Sequence, residues 1–326
     1  QTFTTGIYRA WFSLGDRIAA AQLSAALLLF VVIVLALERA TRGRARFNNT
    51  SRNAGSTIRH RLSPLAGAVA AFACFMPLFF GFLLPAGLLL RMAFGDGDAQ
   101  FGERFVQLAS NSFTLAAVTA VLAVVLAVVL AYAARMARSR LPLVLNRIVG
   151  LGYAVPGSVI AVGVLIPVTR LDNWLIAWWE AAFGVNPGLL LTGGIAALVY
   201  AYLARFLTVS LQTVESSLGK VTLSMDDASR SLGYGKWATL RRVHVPILRG
   251  SLLTASLLVF VDVMKELPAT LVIRPFNFDT LATQAHTLAS DERLTEASTA
   301  ALTIVVVGLL PMFVISQQIL KGRRAG

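Results

Sequence analysis

SMDDASRSLGYGKWATLRRVHVP, residues Ser224–Pro246, is a polar and basic stretch set between two long apolar runs. Ser224, with Asp227 three residues later, reads as a capping-box-like helix start, and acidic residues fill the first turn where the helix dipole favours them. Gly233 reads as a stop, because glycine takes the left-handed conformation that ends many helices. A second helix is expected beyond it, with Trp237, Leu240 and Val243 near one face and Arg241 and Arg242 near another, until Pro246 halts it. The prediction is a pair of short helices meeting at a glycine, held at a membrane surface.

The surroundings supply the membrane. Of the 326 residues, 56% are hydrophobic and 14% charged, with a mean hydropathy of +0.71. A soluble domain carries about 25% charged residues, so the composition points to an all-α, polytopic helical bundle. The net charge of +13 would suit nucleic acid in a soluble protein, but in a membrane protein it reflects basic loops on one side. The single cysteine, Cys74, lies in an apolar run, which excludes a disulfide framework and a cysteine metal site. His60, His244 and His286 are too far apart in sequence for a local ligand pair. The chain begins at Gln1 with no signal peptide and cleavage site, and reads as a piece of a longer polypeptide.

Hydropathy predicts seven spans, at about 18–37, 66–90, 113–134, 148–168, 189–211, 251–273 and 297–320. Placing 38–64, 135–147, 212–249 and 320–326 on one side puts 20 of the 29 Lys and Arg residues there and 7 opposite, with Arg205 and Lys265 inside spans. The positive-inside rule makes that side cytoplasmic, the N-terminus of this segment outside and the C-terminus inside.

The polar stretch also resembles a family signature. Asp227-Ala228-Ser229, three residues, Gly233, nine residues, Val243, one residue and Val245-Pro246 resemble the "EAA" loop of permease subunits of bacterial type I ABC importers. That pattern reads Glu-Ala-Ala, three residues, Gly, nine residues, Ile, one residue, Leu-Pro. The spacing matches throughout, Ala228, Gly233 and Pro246 are identical, and the departures keep similar chemistry. The text FVDVMKELPATLVIRPFNFDTLATQAHTLASDERL, from Phe260, and the linker LERATRGRARF are similar to iron(III) permeases that join two six-span halves in one chain.

The resemblance implies that 1–61 is the last span and linker of a preceding half, and that 62–326 is a six-span half with its coupling loop at 212–249. It implies that Asp226, Asp227, Ala228, Ser229, Gly233, Val243 and Pro246 belong to the loop coupled to an ATPase. The implied partners are two copies of an ABC ATPase subunit, a periplasmic substrate-binding protein, a second permease half and the lipid bilayer, without nucleic acid. The chain itself would be no enzyme and bind no cofactor, with ATP and Mg on the ATPase. The expected place is the bacterial inner membrane and the expected cargo ferric iron. Thiamine, polyamine and phosphonate importers share the architecture and stay open.

Charges inside spans are functional candidates by default, since they are costly unless paired or facing water. Asp262 sits one turn before Lys265 and Glu266, which allows a local Asp–Lys pair, and Pro268 interrupts the helix just beyond. These four residues suit a translocation path or gate; a structural ion pair is the plainer reading. Pro156 and Gly157, with Gly150 and Gly152, break another span and suit either a pathway bend or tight packing. Arg205 is expected to snorkel to the cytoplasmic side, and Trp174, Trp178 and Trp179 to form an aromatic belt or a partner contact.

Several enzyme-like patterns fail. Gly233-Tyr234-Gly235-Lys236 has Trp237 where a phosphate loop needs Ser or Thr. Gly95-Asp96-Gly97-Asp98 lies in a loop rather than a span, unlike the aspartyl-protease pattern it echoes, and no Gly-x-Ser-x-Gly occurs. A secondary transporter or channel remains the reading from another class, but it has no reason to keep the EAA spacing.

Overall fold

The computed structural model of the chain describes residues 2–42, 62–95, 101–137 and 139–324. The basic linker at 43–61, its Asn48-Asn49-Thr50 sequon and the loop carboxylates Asp96 and Asp98 lie outside the described residues. The helices run α1 (Phe3–Tyr8), α2 (Arg17–Arg42), α3 (Pro64–Leu78), α4 (Leu84–Gly95), α5 (Glu103–Met136), α6 (Leu141–Val149) and α7 (Gly157–Phe183). They continue as α8 (Ala196–Leu218), α9 (Leu223–Ser231), α10 (Lys236–Thr239), α11 (Val245–Met264), α12 (Pro268–Ile273), α13 (Leu281–Ser290) and α14 (Leu294–Arg324). Among the described residues there are no strands, and seven helical stretches are long and apolar enough to cross a membrane, the expected number.

Three of them, α5, α8 and α11, form the centre. Along α5, Ala116, Ala120, Ala123, Ala127 and Ala131 recur at helical spacing and are all buried. Small side chains let neighbouring backbones approach, which is how helices associate where lipid offers no hydrophobic drive. Leu115, Tyr202, Leu198, Val259 and Val263 complete one core cluster, and Leu211, Val214, Leu218 and Leu248 a second towards the 219–235 loop. The outward face of α5, with Val121, Val125 and Val129, stays exposed and apolar, as a lipid-facing surface must. Around this centre α14 packs on α4, α13 and α11, while α2 packs on α7.

Four expectations are corrected. The span expected at 148–168 is Gly157–Phe183, because Pro156 sets the helix start as its N-cap residue and 141–154 forms a short helix and a 3-10 turn. The span expected at 189–211 is Ala196–Leu218. Leu190 and Leu191 are apolar but non-helical, and their N–H groups donate to Asp172 Oδ1 at 2.9 and 3.0 Å. Thr192 binds Asp172 Oδ2 through both N–H and hydroxyl, so one buried carboxylate replaces a turn of helix. Ser224 does not cap: α9 begins at Leu223 after Thr222, whose hydroxyl bonds the Ser224 hydroxyl instead. Pro246 does not halt its helix. A π turn at Leu240–His244 precedes it, and the helix continues to Met264, making one stretch Lys236–Met264. Widening the turn removes the conflict that a proline ring makes with the preceding carbonyls.

Close backbone approach dictates the glycine at 152. A Cβ at Gly152 would collide with the Ala204 carbonyl of α8, whereas a Cβ at Gly163 meets nothing. Gly152→Ala should cost about 1–3 kcal/mol through forced backbone movement, read as a lowered thermal midpoint of the detergent-solubilised protein. Gly163→Ala should leave that midpoint unchanged or slightly raised. Equal midpoints for the two variants would contradict the contact.

Candidate functional site

Two polar constellations stand out against the apolar bundle. The first holds the 219–235 loop. Gly233, at φ +80°, ends α9 as expected, with Gly233 N–H donating to Arg230 O at 2.9 Å and Tyr234 N–H to Ser229 O at 3.1 Å. The two neighbouring aspartates then diverge. Asp226 is buried, and its Oδ2 accepts from Arg135 Nε at 3.0 Å and Nη2 at 2.8 Å. His244 Nε2 lies 2.7 Å from Asp226 Oδ1, which as an acceptor places the proton on that nitrogen. Arg135 further donates to the carbonyls of Leu218 (2.8 Å), the last residue of α8, and Val221 (2.9 Å), in the loop just beyond it.

Tyr132, one turn before Arg135 on α5, donates its hydroxyl to Lys236 O at 2.8 Å and lays its ring edge-on to His244. Ser229 and Thr239 hydroxyls meet at 2.8 Å across the two short helices. The end of α5 therefore clamps both arms of the loop. The other face is open. Asp227 pairs with Arg230 at 2.6 Å on the surface, and Ala228, Met225, Leu232 and Trp237 are exposed beside them. Val243 is half-buried in the π turn and Pro246 exposed at the start of α11.

Arg135, Tyr132 and His244 went unread in the sequence. Arg135 counted only as one of the basic residues setting orientation, and its partners lie about 90 positions away. Nothing in the local spacing distinguishes Asp226, which has the internal partners, from its neighbour Asp227.

The second constellation is a helix break. Helix α11 ends at Met264, and α12 restarts with Pro268 in its first turn, where a missing N–H costs nothing. Glu266 sits between them, buried, with its Oε2 2.6 Å from Arg205 Nη1. Its Oε1 accepts from Ala269 N–H at 3.2 Å and its backbone carbonyl from the Thr270 hydroxyl at 2.6 Å, so it closes the start of α12. Tyr202 reaches the same Thr270 hydroxyl, and Tyr8 donates to Pro268 O at 2.8 Å. Gly157, the first residue of α7, faces this pair: a Cβ there would collide with Glu266 and Arg205.

Arg205 is thus not snorkelling. It lies nine residues into α8 and thirteen from its end, roughly 14 and 20 Å along the axis at 1.5 Å per residue. From that depth it turns to Glu266, and the charge cost is met by pairing instead of by reaching water. Of the expected pathway residues, Glu266, Pro268 and Gly157 meet at this junction, and Pro156 precedes it as the N-cap residue of α7. Asp262 and Lys265 form the anticipated local pair at 2.9 Å, with Lys265 exposed. Among the described residues no three His, Cys, Asp or Glu side chains converge as a metal site. Trp178, Trp179 and Phe183 cluster on the exposed end of α7, with Trp174 exposed one turn before.

The fold is that of an ABC-transporter permease. It aligns with a chain of the bacterial alginate ABC transporter, solved with an alginate pentasaccharide-bound periplasmic protein, at a TM-score of 0.59 and 14% identity, covering 77% of this chain and 94% of that one. In sequence the chain is similar to the Fe(3+)-transport system permease protein FbpB 2 of Haemophilus influenzae, at 25% identity over 328 residues. That similarity covers 98% of this chain, which spans 61% of the relative's length. It is also similar to the putative 2-aminoethylphosphonate transport system permease protein PhnV of Salmonella typhimurium, 27% identical over 165 residues, covering 51% of this chain and 56% of the relative. No protein-family model matches the chain.

Removing one partner of a buried ion pair strands the other charge, at a cost of about 3–5 kcal/mol. We expect Arg205→Met and Glu266→Gln each to lower the thermal midpoint sharply, and the double variant to recover part of the loss. Additive losses in the double variant would show that the two side chains do not interact. At the loop, Arg135→Lys keeps the charge but loses the fork of donors. Loss of charge-assisted bonds worth about 1.5–3 kcal/mol each should raise amide exchange over 219–236 on the order of tenfold or more, with α8 upstream unchanged. Unaltered exchange in that segment would remove Arg135 as the clamp.

Proposed function

We propose that this chain is a membrane-spanning half of an ATP-driven importer, moving its substrate by alternating access. The observation that carries the reading is the loop: one side is clamped through Asp226, while the other presents Asp227, Ala228, Leu232 and Trp237 to a partner. Large exposed apolar side chains rimmed by charge mark protein contact sites. The partner proposed is a separate ABC ATPase in two copies, which binds ATP and Mg and hydrolyses it while this chain performs no chemistry. A periplasmic binding protein delivers substrate from the opposite side, and a second permease half completes the pathway. The loop then faces the cytoplasm, and the chain's first residues face outward across the inner membrane.

Ferric iron is the cargo we favour. The similarity to the ferric permease runs over 98% of the chain, against 51% for the phosphonate permease. Phosphonate is the second reading on the strength of that shorter match. In either, the paired Arg205–Glu266 break gives the bundle a polar element where a permeating ion could pass or be held back, with Asp262 and Lys265 one turn away.

Co-purification tests the coupling. The full-length permease would be tagged and expressed with the ATPase encoded beside it, as wild type and as Asp227→Lys with Gly233→Pro. Proline cannot take the φ of +80° at position 233, and lysine inverts the exposed charge. Stoichiometric ATPase with the wild type, lost from a folded variant, is the expected result. Equal recovery would mean that the loop is not the dock, and no ATPase with either would return the chain to the secondary transporters or channels.

A further inference from the structure

Two arginines of the bundle lack a counter-charge, and both line one cavity between α2 and α7. Arg17 opens α2 and Arg170 lies within the α7 span. Among the described residues neither makes an ion pair or a hydrogen bond. The carboxylates nearest to them in sequence are already committed. Asp16 Oδ1 accepts the Ile18 and Ala19 N–H groups at 3.0 and 2.9 Å, which starts α2. Asp172 is buried and holds the amides of Leu190, Leu191 and Thr192. Arg17 instead stands over the Trp11 ring, its Cζ 5.9 Å from the centroid. A charge on a membrane-spanning helix is costly unless water or an opposite charge meets it.

The cavity, of about 620 Å³, is graded from polar to apolar. On α2, Arg17, Ala21 and Ala25 recur at four-residue spacing and share one face, running from the helix start into the span. On α7, Arg170 and Asn173 lie towards the Trp174 end, while Leu165 and Ile166 sit about a turn deeper. Each helix thus puts its cation at the membrane boundary and small or aliphatic side chains further in. The contacts of Asp172 fix which boundary this is. Residues 190–192, which it holds, precede α8, and the far end of α8 at Leu218 leads into the 219–235 loop. The cavity mouth therefore lies on the side away from that loop.

We infer that this groove seats an anionic phospholipid, its phosphodiester between Arg17 and Arg170 and an acyl chain along Ala21, Ala25, Leu165 and Ile166. The guanidinium fork matches phosphate oxygens, and basic pockets between spans take anionic head groups. Gln22 and Asn173 add amide donors and acceptors for a hydroxylated head group such as that of phosphatidylglycerol. No Asp or Glu lines the cavity, so a choline or ethanolamine ammonium would meet two guanidiniums instead of a counter-charge. Free phosphate would answer the arginines but leave the apolar end unfilled. A lipid held there bridges α2 and α7, which already pack on each other. The site requires only that these two helices cross a bilayer, so it stands apart from the importer reading.

Native mass spectrometry tests this on the full-length protein, delipidated in detergent and given equal amounts of dioleoyl phosphatidylglycerol and dioleoyl phosphatidylcholine. The wild type should retain phosphatidylglycerol in preference. Arg17→Gln and Arg170→Gln should each cut that preference about fivefold, the worth of one basic residue at an anionic surface. Arg91→Gln removes an exposed arginine of α4 outside the cavity and should leave the preference intact. Ala25→Phe keeps both charges but fills the apolar end, and should lose the retained lipid as well. Wild-type preference in both glutamine variants, an equal loss in Arg91→Gln, or undiminished retention in Ala25→Phe would each overturn the proposal. Displacement of phosphatidylglycerol by excess inorganic phosphate would assign the arginines to a free anion and overturn the lipid as occupant. Thermal midpoints in lipid-free detergent verify folding. All three cavity positions are exposed, and if one variant fails that check the other two decide.

Discussion

A helix broken at membrane depth leaves amides and carbonyls with no water to bind, and everything around Glu266 follows from that constraint. The carboxylate takes the Ala269 amide, the Thr270 hydroxyl takes the Glu266 carbonyl, and Tyr8 takes the Pro268 carbonyl. A carboxylate used this way carries a charge into the bundle, so Arg205 must meet it, and Arg205 in turn needs Gly157 to have no side chain. Each residue at the junction is the consequence of the one before. The chain of dependence starts at Pro268, which cannot continue a helix through position 264 without unpaired groups.

The loop obeys the same logic at the membrane edge. Arg135 ties together the Leu218 carbonyl at the end of α8 and the Val221 carbonyl in the loop beyond, and the charge that Arg135 brings is balanced by Asp226. In both places an arginine pairs with a buried carboxylate, but at the loop the arginine binds the backbone carbonyls, whereas at the junction the carboxylate binds the backbone amide. The two differ in surroundings. The junction is enclosed by protein on most sides, whereas the loop keeps one clamped face and one open face, so only the loop can serve a partner directly.

Much of this was legible in the residues. The number of spans, the glycine stop at 233, the Asp262–Lys265 pair and the interruption at Pro268 all stand as periodicity and punctuation put them. Misreadings came where hydropathy and local grammar disagree with tertiary partners. Leu189–Leu191 is apolar enough for a span, yet Asp172 from the preceding helix holds its backbone out of helical form. Arg205 looked like an interfacial residue because its span was drawn seven positions too early, which brought its end too near. Arg135, Tyr132 and His244 act through partners far along the chain, and no spacing within one helix reports such a contact.

The stretch Lys236–Met264 connects the two constellations directly. It leaves the exposed surface of the loop at Trp237, passes the buried His244, and ends one residue before Lys265 at the break. At 1.5 Å per residue its 29 residues span about 43 Å. A helix of that length transmits a push along its axis only if it is straight or bent at a defined place. Here the defined place is the π turn at 240–244, directly under the clamp formed by Asp226, Tyr132 and His244. Force applied at Trp237 is therefore taken first by the clamp, and only motion that the clamp shares reaches the break. A loop that slid freely over α5 would move without consequence. One that moves with α5 carries α8 and α11 along, because those three helices are packed together through their alanine-lined contact. Packed interfaces shift between discrete arrangements rather than deforming continuously. The bundle centre is thus the element whose alternatives a partner at the loop would select, and the Arg205–Glu266 break, with one residue on α8 and the other at the end of α11, is where a change in their relative position would be felt.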